Sequence, residues 1–243
     1  MSRTLRFLVI ATGFALAANA GAEPTAYVVE AEFLAALSAL GLPVTHEGFE
    51  SAAWDGVRSS IVDGAHTAPS VSSNGLVWSA NNLSSEITTG VGAALSGQYG
   101  VYSNPHGSYE NPDPGADCYT PGECGDGFRG VAENGILYAI GGWVETNTPY
   151  AKLGLYLGDY PTNPIDFGET CDPPESENCV SHSTIGTQSQ FFGVIDPAGF
   201  DRFEFRELEG KLEIGGGDIK LIFADDFRFS LGEPELVFKD GFE

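Results

Sequence analysis

The sequence predicts a mostly β protein, an antiparallel β-sandwich of jelly-roll-like type with one N-terminal amphipathic helix after a signal peptide. Three observations carry that prediction. Short apolar runs of period two recur after Pro43: Leu153, Leu155 and Leu157 alternate with Gly154 and Tyr156, and Phe227, Phe229 and Leu231 with Arg228 and Ser230. Turn formers abound, with 32 Gly and 14 Pro among 243 residues. Only one stretch has helical periodicity, so no βαβ alternation is present to build a parallel sheet.

Taken in order, the chain opens on Arg3 and Arg6, an apolar run from Phe7 to Ala18, and small residues at Ala18-Asn19-Ala20 or Ala20-Gly21-Ala22. That is the pattern of a secretory signal peptide over residues 1–22, and the apolar run is too short to span a bilayer. The expectation is a secreted protein, extracellular or periplasmic, with no membrane segment after cleavage. Residues 23–43 form an N-terminal helical segment: Val29, Phe33, Leu37 and Leu40 recur at helical spacing, Glu30 and Glu32 sit near the start, and Gly41 and Pro43 end it.

The sandwich is expected over 44–232. Its candidate strands are Val44 to Glu47, Leu76 to Ser79, Glu86 to Thr89, Gly135 to Ile140, Leu153 to Leu157, Phe191 to Ile195, Phe203 to Phe205, Ile219 to Phe223 and Phe227 to Leu231. Two long stretches, Ser103 to Arg129 and Gly158 to Thr187, read as irregular loops. Residues 233–243 read as a short tail.

Each long loop holds two cysteines, Cys118 and Cys124 in one and Cys171 and Cys179 in the other. In an exported chain two local disulfides are the favoured pairing of the three available. Zinc would favour closer C-x2-to-4-C spacing.

Charge narrows the function classes. The chain carries 34 Asp and Glu against 11 Lys and Arg, a net charge of −23, and removal of Arg3 and Arg6 with the leader makes it more negative still. Such a surface repels nucleic-acid backbones and anionic lipid. Hydrophobic residues at 42% suffice for a core and exclude wholesale disorder.

No chemistry announces itself. There is no G-x-S-x-G elbow, and His46, His66, His106 and His182 stand in unrelated contexts without metal-ligand spacing. Carboxylate pairs are too abundant to signal a glycosidase; Glu207, Glu209 and Glu133 read as surface acids. The acidic loop Glu110 to Asp117 lacks EF-hand register. For sugar binding, aromatic platforms are needed. Trp54, Trp78, Trp143, Tyr102 and Tyr109 are the aromatics considered; Trp78 has the parity of core residue Leu76, leaving Trp143 and Tyr109 as the ligand-binding candidates.

The more specific pattern joins the first strand to the last. Early comes Thr45-His46-Glu47-Gly48-Phe49-Glu50, late comes Phe223-Ala224-Asp225-Asp226-Phe227, both rich in the oxygen ligands that calcium takes. This order resembles the calcium-binding pattern of jelly-roll carbohydrate-binding modules, in which terminal strands lie together and share an ion. The resemblance implies Glu50 and Asp225 as ligands of a structural calcium, with Glu47 and Asp226 as substitutes.

Over most of the mature length, the order of Phe33 to Leu37, Glu47 to Glu50, Ser73 to Trp78, Tyr138 to Trp143, Phe191 to Val194 and Asp225 to Phe227 also resembles a group of exported bacterial β-sandwich proteins akin to PEP-CTERM-associated proteins. Many of those relatives come from exopolysaccharide producers. In place of their Pro-Glu-Pro tail this chain has the acidic-aromatic ending Leu236 to Glu243. The combined expectation is a secreted non-enzymatic sandwich binding a glycan or extracellular polymer. A carbohydrate hydrolase or lyase on the same fold, and a structural matrix or surface component, are the alternatives.

Overall fold

The computed structural model describes residues 23–59, 66–80, 86–103, 127–146, 152–158, 165–171, 180–181, 190–209 and 222–232. The expected signal peptide at 1–22 and the tail at 233–243 lie outside them.

In chain order the elements begin with β1 (Thr25–Tyr27), α1 (Glu30–Ala39), β2 (Thr45–Glu47), a 3-10 turn at Ala52–Val57, β3 (Arg58–Ser59), β4 (Val71–Ser73), β5 (Leu76–Ala80) and β6 (Ile87–Gly90). A second 3-10 turn, Val91–Ala93, precedes β7 (Gly100–Ser103), β8 (Gly127–Ala132), β9 (Leu137–Thr146) and β10 (Lys152–Leu157). The rest are β11 (Ile165–Cys171), β12 (Val180–Ser181), β13 (Gln190–Phe200), β14 (Arg202–Glu209) and β15 (Ile222–Leu231).

They form two sheets. The first runs β1-β13-β9-β15-β7-β6-β3, with β2 also on β15; the second runs β12-β11-β10-β14-β8-β5-β4. All the pairings are antiparallel except β3 with β6 and β11 with β12. From β7 to β10 and from β12 to β15 the chain crosses between sheets at each step, so β9, β13 and β15 are sheet neighbours though distant in sequence, as in a jelly roll. The expected fold class is therefore the observed one.

The core lies between the sheets. Trp78, Phe128, Leu155, Phe203 and Phe205 of the second sheet meet Val101, Ile140, Val144, Phe192, Phe227 and Phe229 of the first, joined by Phe49 and Trp54. Phe227 is its hub: its ring centroid lies 5.1 Å from Trp78, 5.7 Å from Phe128 and 5.8 Å from Phe205. Such edge-on aromatic pairs add to the gain from burial alone. Trp54 and Trp78 are both fully buried, which removes them as sugar platforms and bears out the parity argument for Trp78.

A second, smaller cluster lies on the other face of the first sheet. The helix expected from Val28 to Leu40 occupies Glu30–Ala39 and buries Phe33 and Leu37 against Ala139, Phe191 and Ile195. Burying two such side chains stabilises its docking by roughly 1.5–3 kcal/mol each. The N-terminal segment is not helical throughout, because Thr25–Tyr27 pairs with Gly193 to Ile195 as an edge strand.

Two loop readings need correction. The stretch Ser103 to Arg129 ends in a strand, since Gly127–Ala132 pairs with both β5 and β14. Its glycines hid it: Gly130 faces Phe203, whose ring would stand 2.5 Å from an added Cβ. The stretch Gly158 to Thr187 likewise contains β11, which pairs with β10, and β12, which pairs with β11. Of the last two candidates, Ile222 and Phe223 from the first and Phe227 to Leu231 belong to a single strand, β15, with a bulge between them; residues 219–221 lie outside the described residues.

Candidate functional site

The terminal strands do meet. Thr45, His46 and Glu47 pair antiparallel with Phe229, Arg228 and Phe227. On its other side β15 lies against β9, with Asp225 opposite Trp143 and Arg228 opposite Gly141. Three steps along β15 thus match two along β9, so one extra residue is accommodated as a bulge. Asp226 supplies it in the left-handed region, at φ 52°, which a short acidic side chain tolerates.

The bulge decides where the acids point. Trp143 belongs to the cluster under α1, so Asp225 and Arg228, directly opposite Trp143 and Gly141, share the sheet's outer face. Phe227 goes inward to the core, as the fully buried ring at its hub.

Along that outer face runs a row of charged groups. Trp143 Nε1 donates to Glu30 Oε2 at 3.2 Å, and the other Glu30 oxygen is 3.5 Å from Arg228 Nε. Arg228 Nη1 is 3.6 Å from Asp226 Oδ1, which also contacts His46 Nε2 at 2.8 Å. The row is most open at its His46 end, where that side chain is 52% exposed against 11% for Asp226 beside it.

Each of the four predicted metal ligands is engaged by donors. Asp225 Oδ2 accepts the backbone N–H groups of Leu95 and Ser96, both at 2.9 Å, and its Oδ1 accepts that of Asp226 at 2.7 Å. Glu50 Oε1 accepts from Gln98 and Tyr99 at 2.5 and 2.8 Å, while Arg58 stands 3.7 Å from Oε2. Glu47 is buried at the sheet edge, where Oε1 accepts from Phe49 N–H and Oε2 from Asn74 Nδ2. Asp226 takes His46 and a Ser96 side-chain hydrogen bond.

Burial sets the two neighbouring aspartates apart. Removal from water pushes Asp225 up to about 7, against its three backbone hydrogen bonds. Burial also acts on Asp226, but the hydrogen bonds from Ser96 and His46 and the charges of Arg228 and His46 outweigh it and hold that carboxyl below its ordinary value.

A calcium ion would need several oxygens converging on one point. Among the described residues no three of His, Cys, Asp and Glu stand close enough together to hold a metal. The strand pairing expected from sequence brings the acids to one junction, but this donor set, already turned toward N–H groups, does not fit a calcium cage.

Trp143 is half-buried rather than an open platform, wedged against Phe191 at 5.9 Å between ring centroids. Tyr109, Cys118, Cys124 and Cys179 lie outside the described residues, as do His106, His182 and the acidic loop at 110–117; Cys171 ends β11, and its side chain is outside the description. Sequence reasoning missed Arg228, Glu30 and His46 as members of the row. The alternation that marked Arg228 as the outward residue between Phe227 and Phe229 was the available signal.

No family model matches the chain, and no curated protein matches it. Among solved structures, the K1 cleaved adhesin domain of Lys-gingipain from Porphyromonas gingivalis W83 is similar at 17% identity, covering 78% of this chain and 99% of that one, with a TM-score of 0.37. TmCBM61 in complex with beta-1,4-galactotriose is similar at 13% identity, covering 65% of this chain and 90% of that one, with a TM-score of 0.27. At these values the likeness assigns neither a ligand nor an activity to this chain.

Proposed function

We propose that this chain is an exported, non-catalytic protein that binds a glycan or other extracellular polymer on the outer face of the first sheet. The observation that carries the reading is the row Trp143, Glu30, Arg228, Asp226 and His46. A pyranose offers an apolar face and a rim of hydroxyls, which suits an aromatic edge beside fixed donors and acceptors. The leader at 1–22 supports export, and the strong negative charge disfavours nucleic-acid partners.

Binding is favoured over catalysis by the row's connectivity. A hydrolytic triad needs a nucleophile hydrogen-bonded to the imidazole. Here the Ser96 side chain bonds Asp226, and the carboxylates of Asp225 and Glu50 are occupied by backbone N–H groups.

The test is retention on a panel of immobilised polysaccharides, with release of reducing ends measured in parallel. Retention that is lost in R228A supports the reading. Release of reducing ends would establish the hydrolase or lyase alternative, and neither retention nor release would leave a structural matrix or surface component.

A further inference from the structure

The residues spaced like calcium ligands face donors, and this disagreement has a constructive side. Asp225 and Glu50 grip the same loop on either side of Gly97: Leu95 and Ser96 N–H on one carboxylate, Gln98 and Tyr99 N–H on the other. Gly97 itself lies at φ 65°, and a Cβ there would stand 2.5 Å from Glu50 Oε1. Glycine therefore serves twice, supplying the left-handed turn and the room for the carboxylate.

We propose that the junction of β2 and β15 is a metal-independent carboxylate clamp, in which Asp225 and Glu50 hold the 95–99 loop by its backbone N–H groups and need no cation. The positive ends of these N–H dipoles occupy the directions from which an ion would approach the oxygens. Fixed guanidinium groups complete the neutralisation. Arg58, itself bonded to Asp55 Oδ1 and to the carbonyls of Glu50 and Ser51, stands 3.7 Å from Glu50 and stacks over Tyr99 at 4.2 Å. Arg228 and His46 flank Asp226.

A clamp of this kind explains the placement of all four acids without a cage. Glu47 fixes Phe49 and Asn74, Asp226 ties β15 to His46 on β2, and the remaining two secure the loop beside them. The inference stands apart from the binding reading, because it concerns what holds the junction together and needs no polymer for its test.

The experiment compares melting of the full chain after exhaustive chelation with melting in added calcium or magnesium, and follows residue-resolved amide exchange in the same samples. The clamp predicts melting temperatures equal within about 1 °C, since no ion contributes to holding the junction together. It further predicts that E50A speeds exchange at Gln98 and Tyr99 about tenfold while leaving Leu95 and Ser96 unchanged, and that D225A, which removes both acceptor oxygens, does the reverse. Should D225A fail to fold, E50A, at a surface side chain, carries the test alone. A calcium-induced rise of several degrees, or unchanged exchange at Gln98 and Tyr99 in E50A, would overturn the clamp.

Discussion

Asp226 Oδ1 lies 2.8 Å from His46 Nε2 although 180 residues separate the two in sequence. The contact ties β2 to β15 and depends on the bulge that turns Asp226 outward. It also sets up a titration. Asp226 has its carboxyl held below 3.8 in the folded state, so its stabilising contribution is present above that value and is lost as pH falls through the lower, folded one. Replacing His46 by Ala removes one of the causes. Urea melts between pH 2 and pH 6, spanning roughly the carboxylate range, are expected to show H46A losing stability at a higher pH than the wild type.

Asp225 titrates in the opposite sense. Burial raises its folded pKa from 3.8 to about 7, so the folded state binds a proton that the unfolded chain releases. Its contribution is complete below the unfolded value and is lost as pH rises through the folded one. Stability of the wild type is expected to decline between those two values by this component. D225N has no such titration, and the slope of its stability with pH over the same window should be flatter, even where its absolute stability is lower.

Gly141 and Gly142 let two aromatic layers close on one strand. An added Cβ at Gly142 would stand 2.6 Å from the Phe227 ring, and one at Gly141 would stand 2.6 Å from Phe191 on the opposite face. Gly142→Ala is expected to cost about 1–3 kcal/mol in denaturant unfolding, because the fully buried Phe227 has no free space to move into.

Asn74 and Gly75 form the two-residue turn between β4 and β5, both with positive φ, at 53° and 83°. Asn74 also donates to the buried Glu47 carboxylate at 3.0 Å. Its amide also donates to the His46 carbonyl at 3.2 Å. Asn74→Gly keeps the turn geometry and removes both side-chain bonds. N74G is expected to lose about 1–2 kcal/mol in chemical unfolding, shared between Glu47 and the His46 carbonyl, and N74A should lose more because Ala resists the positive φ.

Much of the sandwich was legible because its strands obey period two: Leu153 to Leu157, Phe203 to Phe205 and Phe227 to Leu231 all became strands, and Leu155, Leu157, Phe203, Phe205, Phe227 and Phe229 pack in the core. In Gly127–Ala132, which escaped notice, Gly130 makes room for the Phe203 ring, so part of that strand's information lies in its partner. The site was legible in one respect. Shared acidic motifs at the two ends of the domain correctly implied that β2 and β15 meet. What those acids bind was not, since an oxygen-rich sequence is equally suited to a cation and to backbone N–H groups. The outcome is decided by the loop at 95–99, which carries no motif.

The pairing of β2 with β15 underlies the outer-face row and the clamp together, and cross-strand nuclear Overhauser contacts test it most directly. Backbone proton contacts linking His46 to Arg228 and Thr45 to Phe229 are expected, alongside those linking Asp225 to Trp143 across β9. A spectrum in which the β9 contacts are present while residues 45–47 contact another strand, or pair with β15 in a shifted register, would contradict it.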